Sequence, residues 1–225
     1  MSNENLFDEL KSQAGKLWEM AQDHPFVHGI ADGTLARGKF VHYLEQDYAY
    51  LIGYSRAIAL ATAKAPNLPR MNAFAALLNE TLSVEMELHR GLSAQFGVTP
   101  EQLEGAEASP VCQAYIDFCI SAAAIGDAVD LLAALVPCCV GYAEIGMRLK
   151  PRVLANEAHP YKQWIENYAS EEYQDYAAWM KSALSEMGEG LPGWRGKQLK
   201  RLFTLGCRYE WLFWEMAWKE ETWPL

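Results

Sequence analysis

Apolar residues recur at spacings of three and four along nearly the whole chain, with polar residues between them. This is the period of an α-helix that buries one face. No segment of four or more residues shows the strict alternation of apolar and polar positions that a half-buried strand requires. The pattern therefore predicts an all-α protein built as a helical bundle.

Capping residues, prolines and glycines divide this pattern into about seven helices. The first follows Ser2 and stops at His24-Pro25, after which a short segment reaches the Asp32-Gly33 turn. No linker, low-complexity tract or repeat interrupts the chain, so residues 1–225 are predicted to form a single domain. The remaining predicted helices cover residues 37–65, 69–96, a short stretch after Thr99-Pro100, 109–126, 127–154, 170–188 and 193–221.

Composition and charge narrow the class of protein. The chain has 225 residues, 51% of them hydrophobic, and a formal net charge of -10, which fits a folded acidic domain and excludes disorder. The acidic balance disfavours nucleic acids and anionic membranes as partners, because both are bound through Lys and Arg. The longest nearly apolar run, residues 131–143, is too short to span a bilayer, and residues 1–5 do not resemble a signal peptide. We expect a cytoplasmic protein.

The five cysteines are expected to be reduced thiols. Their number is odd and no two have CxxC spacing, unlike a disulfide framework or a structural zinc site. Most are predicted to be core residues, because a free cysteine behaves as a small hydrophobe. They are Cys112, Cys119, Cys138, Cys139 and Cys207.

A stripe of polar tips follows the second predicted helix. Tyr43, Asp47, Tyr50 and Tyr54 stand at i, i+4, i+7 and i+11, which places them along one face. Such a stripe can be a solvated outer face, but outer faces are usually built from Lys and Glu. Three tyrosines around one carboxylate are more typical of a cavity wall.

A second candidate lies at Pro137-Cys138, inside an apolar helix. An internal proline removes a backbone hydrogen bond and is expected to kink the helix. If the helix restarts at Pro137, Cys138 occupies its first turn, where free N–H groups stabilise a thiolate. The alternative is a packed cysteine beside a packing proline.

The last predicted helix places Glu210 on one face with Phe213, Trp214 and Ala217. Burial among aromatic rings without a partner would raise the pKa of this carboxyl and suit it to proton transfer near neutrality. The alternative is an ion pair with Arg208 or Arg56.

These features belong to an ordered set of motifs that covers nearly the whole chain. The set resembles the TenA / thiaminase II family and is far more specific than any single motif. It consists of HPFVHGIADGTL at 24–35, QDYAYL at 46–51, EMELHR at 85–90, LVPC at 135–138, YAEIG at 142–146, YKQWI at 161–165 and YEWLFW at 209–214.

The resemblance implies a haem oxygenase-like helical fold, a homotetramer and no cofactor or metal. It also implies an aminopyrimidine aminohydrolase, which releases hydroxymethylpyrimidine from aminomethylpyrimidine for thiamin salvage and in many relatives also cleaves thiamin. By this resemblance Cys138 matches the catalytic cysteine, Asp47 the carboxylate that recognises the aminopyrimidine, and Glu210 the acid/base. The chain is thus similar to the cysteine-bearing branch. Residues expected to line the pyrimidine site are Tyr50, Tyr115, Tyr142, Tyr168 and Phe213.

Two other classes of function remain open. A metal-dependent oxidase on the same fold could use Glu85 and His89, which stand at i, i+4. A di-iron bundle expects Glu-x-x-His on two helices, however, and Met86 stands three residues before His89. Further possible ligands, Glu80 and His159, lie apart from this pair in the sequence. His24 and His28 are predicted to be capping or core histidines. The other class is a non-catalytic pyrimidine-binding or regulatory protein, which the retained cysteine and carboxylates disfavour.

Overall fold

The computed structural model describes residues 5–224, and these residues form twelve α-helices, one π-helix and no strand. The all-α prediction is confirmed. The helices are α1 (Leu6–Ala14), α2 (Lys16–Gln22), α3 (Pro25–Asp32), α4 (Arg37–Ala63), α5 (Leu68–Glu80), the π-helix (Thr81–Glu85), α6 (Met86–Gln95), α7 (Pro100–Gly105), α8 (Pro110–Ile125), α9 (Ala128–Leu154), α10 (Lys162–Tyr168), α11 (Glu171–Gly188) and α12 (Gly193–Lys219).

Four of the predicted helix starts are confirmed by side-chain caps. The Thr99 hydroxyl accepts a hydrogen bond from the Gln102 backbone N–H, and the Thr99 backbone N–H donates to the Gln102 side-chain oxygen, which completes a capping box. Asp127 accepts from the Asp130 N–H at the start of α9, as expected. Ser109 and Ser170 cap α8 and α11 in the same way.

The N-terminal prediction is wrong in its details. The first predicted helix is two helices, because Gly15 adopts a left-handed φ of 50° between α1 and α2. The N-cap of α1 is Asn5, while Ser2 lies outside the described residues. The short segment before Gly33 is itself a helix, α3, and a further short helix, α10, was not predicted.

The predicted helix over residues 69–96 contains a change in hydrogen bonding. The π-helix Thr81–Glu85 lies between α5 and α6, and the Met86 N–H closes the wider turn on the Thr81 carbonyl. Single π-turns of this kind frequently occur at functional sites. Here the turn immediately precedes α6, which contains His89.

The contacts divide the chain into two compact units, and the prediction of a single domain stays a prediction. Unit 1 comprises the residues up to Leu35 and Leu132–Trp211. Its core includes stacked Trp18 and Phe203 rings, 5.9 Å apart, with Phe7 packed edge-on against both. The Trp18 indole N–H donates to Glu144, which also accepts from Lys11.

Unit 2 comprises Ala36–Leu131 and the residues from Leu212 onward. Within it, buried Gln46 on α4 joins three parts of the segment before and at the start of α8. Its amide oxygen accepts from the Ser109 N–H at 2.7 Å, its amide nitrogen donates to the Glu107 carbonyl, and its own carbonyl accepts from the Cys112 thiol. These bonds fix the α4 segment that also contains Asp47 against α8.

Among the described residues, one helix, α9, is long and apolar enough to cross a membrane, a property that the core helices of soluble proteins share. The apolar run over residues 131–143 lies inside it. In this structure 89% of the most apolar 18-residue stretch is buried within the protein.

Candidate active site

The polar stripe of α4 lies inside unit 2. Tyr43, Asp47, Tyr50 and Tyr54 are all buried, and Asp47 is only 7% exposed. The stripe is therefore not a solvated outer face. A buried carboxylate requires compensation by polar neighbours, so the contacts of Asp47 decide what this part of the chain can do.

Three of the predicted binding residues form one aromatic cluster in unit 2. The Tyr50 ring lies 4.7 Å from Tyr115 and 5.7 Å from Phe213, measured between centroids. Tyr43 connects this cluster to the carboxylate, because its ring meets Phe213 edge-on and its hydroxyl donates to Asp47 Oδ2 at 3.4 Å. Flat rings around a carboxylate suit a planar cationic or amidine-like ligand.

Sequence reasoning did not find the closest ionisable neighbour of Asp47. His89 Nε2 lies 3.3 Å from Asp47 Oδ2, and both side chains are buried. The contact does not have the geometry of a hydrogen bond, so the buried ring nitrogen remains without one. From the sequence, Glu85 and His89, at i and i+4, are weighed only as metal ligands. Ser93 stands four residues after His89, and this regular spacing of three polar residues was the signal that they share one helix face.

Glu85, at the end of the π-helix, is the second missed residue. Its carboxyl is desolvated although the residue as a whole is only half-buried. Burial, with the negative charges of Asp47 and Glu80, raises the pKa of Glu85 to about 8. Glu85 is therefore largely protonated at neutral pH.

In unit 1, Cys138 lies within one unbroken helix. Helical structure continues from Ala128 to Leu154 through Pro137. The condition that a helix restarts at Pro137 is therefore not met, and Cys138 does not gain the first-turn N–H groups of a new helix. The kink-based argument for a stabilised thiolate therefore does not apply.

Exposure still singles out Cys138 among the five cysteines, all of which the structure describes. Cys138 is partly exposed, whereas the other four are buried. Burial, with the charge of Glu210, raises the pKa of Cys207 to about 12, and burial beside Asp47 raises the pKa of Cys112 far above the usual range. Those two stay protonated thiols, which are poor nucleophiles.

Glu210 is buried on α12 in unit 1, as expected, at 6% exposure. Its helix approaches α9 at Gly206, one turn earlier. A Cβ built on Gly206 would lie 2.6 Å from the Ala134 carbonyl oxygen and 2.9 Å from Pro137 Cγ. The absence of a side chain at 206 thus allows the helix segments that contain Glu210 and Cys138 to pack closely.

The remaining predicted binding residues pack together in unit 1. Tyr142, one turn after Cys138, and Tyr168, at the end of α10, have ring centroids 4.8 Å apart in an edge-to-face arrangement. Trp164 lies 4.7 Å from Tyr168 and completes the cluster. Each unit therefore contains a carboxylate and a cluster of aromatic residues from the predicted set.

The histidines weighed as metal ligands have other roles. His24 caps α3 by accepting from the Phe26 N–H, as predicted, whereas His28 is exposed and pairs with Asp23 at 2.8 Å. His159 accepts from the Tyr161 N–H through Nδ1. Within residues 5–224, no group of three or more His, Cys, Asp or Glu side chains is placed to hold a metal ion.

Comparison with known proteins gives a consistent result. Residues 11–220 match the model of the TENA/THI-4/PQQC family. A relative from Halalkalibacterium halodurans, named aminopyrimidine aminohydrolase, is 40% identical over 214 residues, which are 95% of this chain and 96% of the relative.

Solved structures agree with this match. The TenA homologue from P. horikoshii OT3 superposes with a TM-score of 0.89 at 32% identity, covering 96% of this chain and 99% of that one. A domain of unknown function from Shewanella denitrificans, with a heme oxygenase-like fold, has a TM-score of 0.77 at 16% identity, covering 95% and 92%. The second similarity concerns the fold alone, and it confirms the expected fold type.

Proposed function

Because the chain belongs to the TENA/THI-4/PQQC family, we propose that it is an aminopyrimidine aminohydrolase. It hydrolyses 4-amino-5-aminomethyl-2-methylpyrimidine to the 5-hydroxymethyl compound and ammonia, and it cleaves thiamin to the same pyrimidine. The product enters thiamin salvage. The name of the Halalkalibacterium halodurans relative and its near full-length match support the assignment.

The observation that carries this proposal is the surroundings of Asp47. One oxygen of a buried carboxylate faces Tyr43 and His89, and the neighbouring rings of Tyr50 and Phe213 provide flat apolar surface. An aminopyrimidine is planar and presents an amino group beside a ring nitrogen. A carboxylate can bind that edge while aromatic side chains contact the ring faces.

We propose Cys138 as the nucleophile, in the manner of the cysteine-bearing branch. Its thiolate adds to the electron-poor ring, and the electron pair pushed toward the exocyclic methylene breaks the carbon–nitrogen bond, so that the amine takes a proton from Glu210 and leaves as ammonia. Water then adds to the exocyclic methylene and returns a proton to Glu210. Departure of the thiolate restores the ring, so the net change is exchange of an amine for a hydroxyl. The partial exposure of Cys138 alone among the cysteines supports this role.

Asp47 orients the substrate in this scheme by holding the amino edge of the ring. The binding residues are the aromatic ones expected from the resemblance, namely Tyr50, Tyr115, Tyr142, Tyr168 and Phe213. Held in one orientation, the ring presents its reactive carbon to the thiolate more often than a freely tumbling substrate does. This reaction uses side chains and water only.

The test is an assay of ammonia release from aminomethylpyrimidine, run beside thiamin cleavage under the same conditions. We expect turnover of aminomethylpyrimidine by the unmodified protein and a loss of roughly a hundredfold or more in Cys138→Ser. A protein that binds the pyrimidine without releasing ammonia would instead be a binding or regulatory protein. The ratio of the two rates decides between salvage and degradation.

We also propose that the protein is a cytoplasmic homotetramer. Five free cysteines fit a reducing compartment. Leu82, Val84 and Leu88 expose 42–52% of their surface around the π-helix, and a subunit contact would cover them. Light scattering of purified protein should give four times the 25.3 kDa chain mass, and a monomeric mass would contradict the assembly.

A further inference from the structure

Besides Asp47, two residues lie against the His89 ring, namely Ser93 and Tyr48. The residue is 7% exposed, its Nδ1 lies 3.4 Å from Ser93 Oγ one turn later, and its ring packs 5.8 Å from Tyr48. Tyr48 is itself fixed, because Arg90 donates to its hydroxyl at 2.9 Å. The remaining ring nitrogen, Nε2, lies 3.3 Å from Asp47 Oδ2 without forming a hydrogen bond.

The two oxygens of Asp47 have different surroundings. Oδ2 receives the Tyr43 hydroxyl and faces His89 Nε2. Oδ1 makes no hydrogen bond or ion pair with any residue in the described range 5–224. The rotation of a carboxylate about its last bond is soft, so groups that contact one oxygen limit where the other can point.

We propose that His89 is a positioning residue that acts through Asp47: it fixes Oδ2 so that Oδ1 is presented to the amino edge of the substrate. This inference rests on the proposed function, because it assigns to Asp47 the recognition of the aminopyrimidine. A small rotation of the carboxylate toward Nε2 turns their contact into a hydrogen bond. A buried ring nitrogen without a partner favours that rotation.

The test compares steady-state kinetics of His89→Ala and His89→Gln with those of the unmodified protein. Glutamine keeps an amide N–H near the position of Nε2, so it should restore what alanine removes. His42→Ala is the matched control, because His42 also has a buried ring nitrogen without a partner but lies beside Glu220 and Glu221. Circular dichroism and the melting temperature of each variant show whether it folds.

We expect His89→Ala to raise KM for aminomethylpyrimidine roughly tenfold while changing kcat less than about threefold, because ground-state orientation is lost. His89→Gln should recover to within about threefold of the unmodified KM, and His42→Ala should leave both constants unchanged. In an Asp47→Asn background the His89→Ala effect should fall below about twofold, since residues that act through each other are not additive.

The outcomes are distinguishable. An unmodified protein that releases no ammonia overturns the proposed function and this inference with it. An active protein in which folded His89→Ala keeps its KM, or in which the effects of His89→Ala and Asp47→Asn simply multiply, overturns only the role of His89. A His89→Ala variant that does not fold leaves the decision to His89→Gln: a normal KM supports the positioning role, and a KM raised tenfold contradicts it.

Discussion

Gly206 of α12 lies directly against the Ala134 carbonyl of α9, so that a Cβ at position 206 would lie 2.6 Å from that oxygen. The neighbouring Pro137 Cγ would be 2.9 Å away. Real Cβ atoms do not approach a backbone oxygen this closely. Since Cys138 follows Pro137 and Glu210 follows Gly206 by one turn, this contact controls the packing of both helix segments in unit 1.

Replacing Gly206 by alanine should therefore push α12 away from α9. Overpacking of this kind costs about 1–3 kcal/mol of unfolding free energy, because the oxygen belongs to rigid helix backbone. We expect a lower melting temperature and, under the proposed function, a reduced kcat. Chemical denaturation and the ammonia-release assay measure the two effects.

Gly196, on the same helix, is the control for this substitution. A Cβ there would meet nothing within 4 Å. Gly196→Ala should leave kcat unchanged and raise stability by up to about 1 kcal/mol, through the better helix propensity of alanine. If Gly206→Ala behaves like Gly196→Ala, the close contact between α9 and α12 has no energetic importance.

The different exposure of the cysteines predicts selective alkylation. Cys138 is partly exposed, while its neighbour Cys139 is 2% exposed and contacts the Val136 carbonyl through its sulfur. Brief treatment with iodoacetamide should label Cys138 first and abolish turnover, as peptide mass spectrometry and activity together would show. Bound hydroxymethylpyrimidine should slow the labelling.

Cys139→Ala is the matched variant for that experiment. It should label and turn over like the unmodified protein, whereas Cys138→Ala should show neither rapid labelling nor activity. Rapid labelling at Cys139 or Cys207, with activity lost in parallel, would contradict the assignment of Cys138.

Most of the helices could be predicted because their ends are encoded locally. Thr99, Ser109, Asp127 and Ser170 each cap a helix, and such caps depend only on residues three or fewer positions away. The break at Gly15 was missed because a glycine within a helical pattern can either continue or end it. The π-helix at Thr81–Glu85 was missed because its wider turn leaves the apolar spacing almost unchanged.

The residues of the candidate site could be predicted only where several of them stand at helical spacing on one face of a single helix. The stripe of Tyr43, Asp47 and Tyr50 could be found from spacing, and its burial was correctly favoured. The contact between Asp47 and His89 joins α4 to α6 across 42 residues, and no local spacing encodes it. The spacing also left open whether a helix restarts at Pro137, and the structure shows helical residues that continue through it from Ala128 to Leu154.

The raised pKa of Glu85 gives a prediction for stability against pH. Burial, together with Asp47 and Glu80, raises this pKa from 4.5 to about 8, so between those values the folded protein holds a proton that the unfolded chain releases. Stability from this group therefore falls as pH rises from about 4.5 to 8. Glu85→Gln should remove that dependence and stabilise the protein at pH 9 by on the order of 2 kcal/mol, less than the full shift because Glu85 is only half-buried.

Urea denaturation at a series of pH values from 5 to 9 measures this effect. Glu87→Gln is the control, because Glu87 lies two residues away with its side chain 74% exposed and is paired only loosely with Arg90 at 3.5 Å. Its stability curve should be parallel to that of the unmodified protein, since an exposed ion pair contributes little. Parallel curves for Glu85→Gln as well would mean that Glu85 ionises in the folded protein as it does in the unfolded chain, and would contradict the raised pKa of this carboxyl.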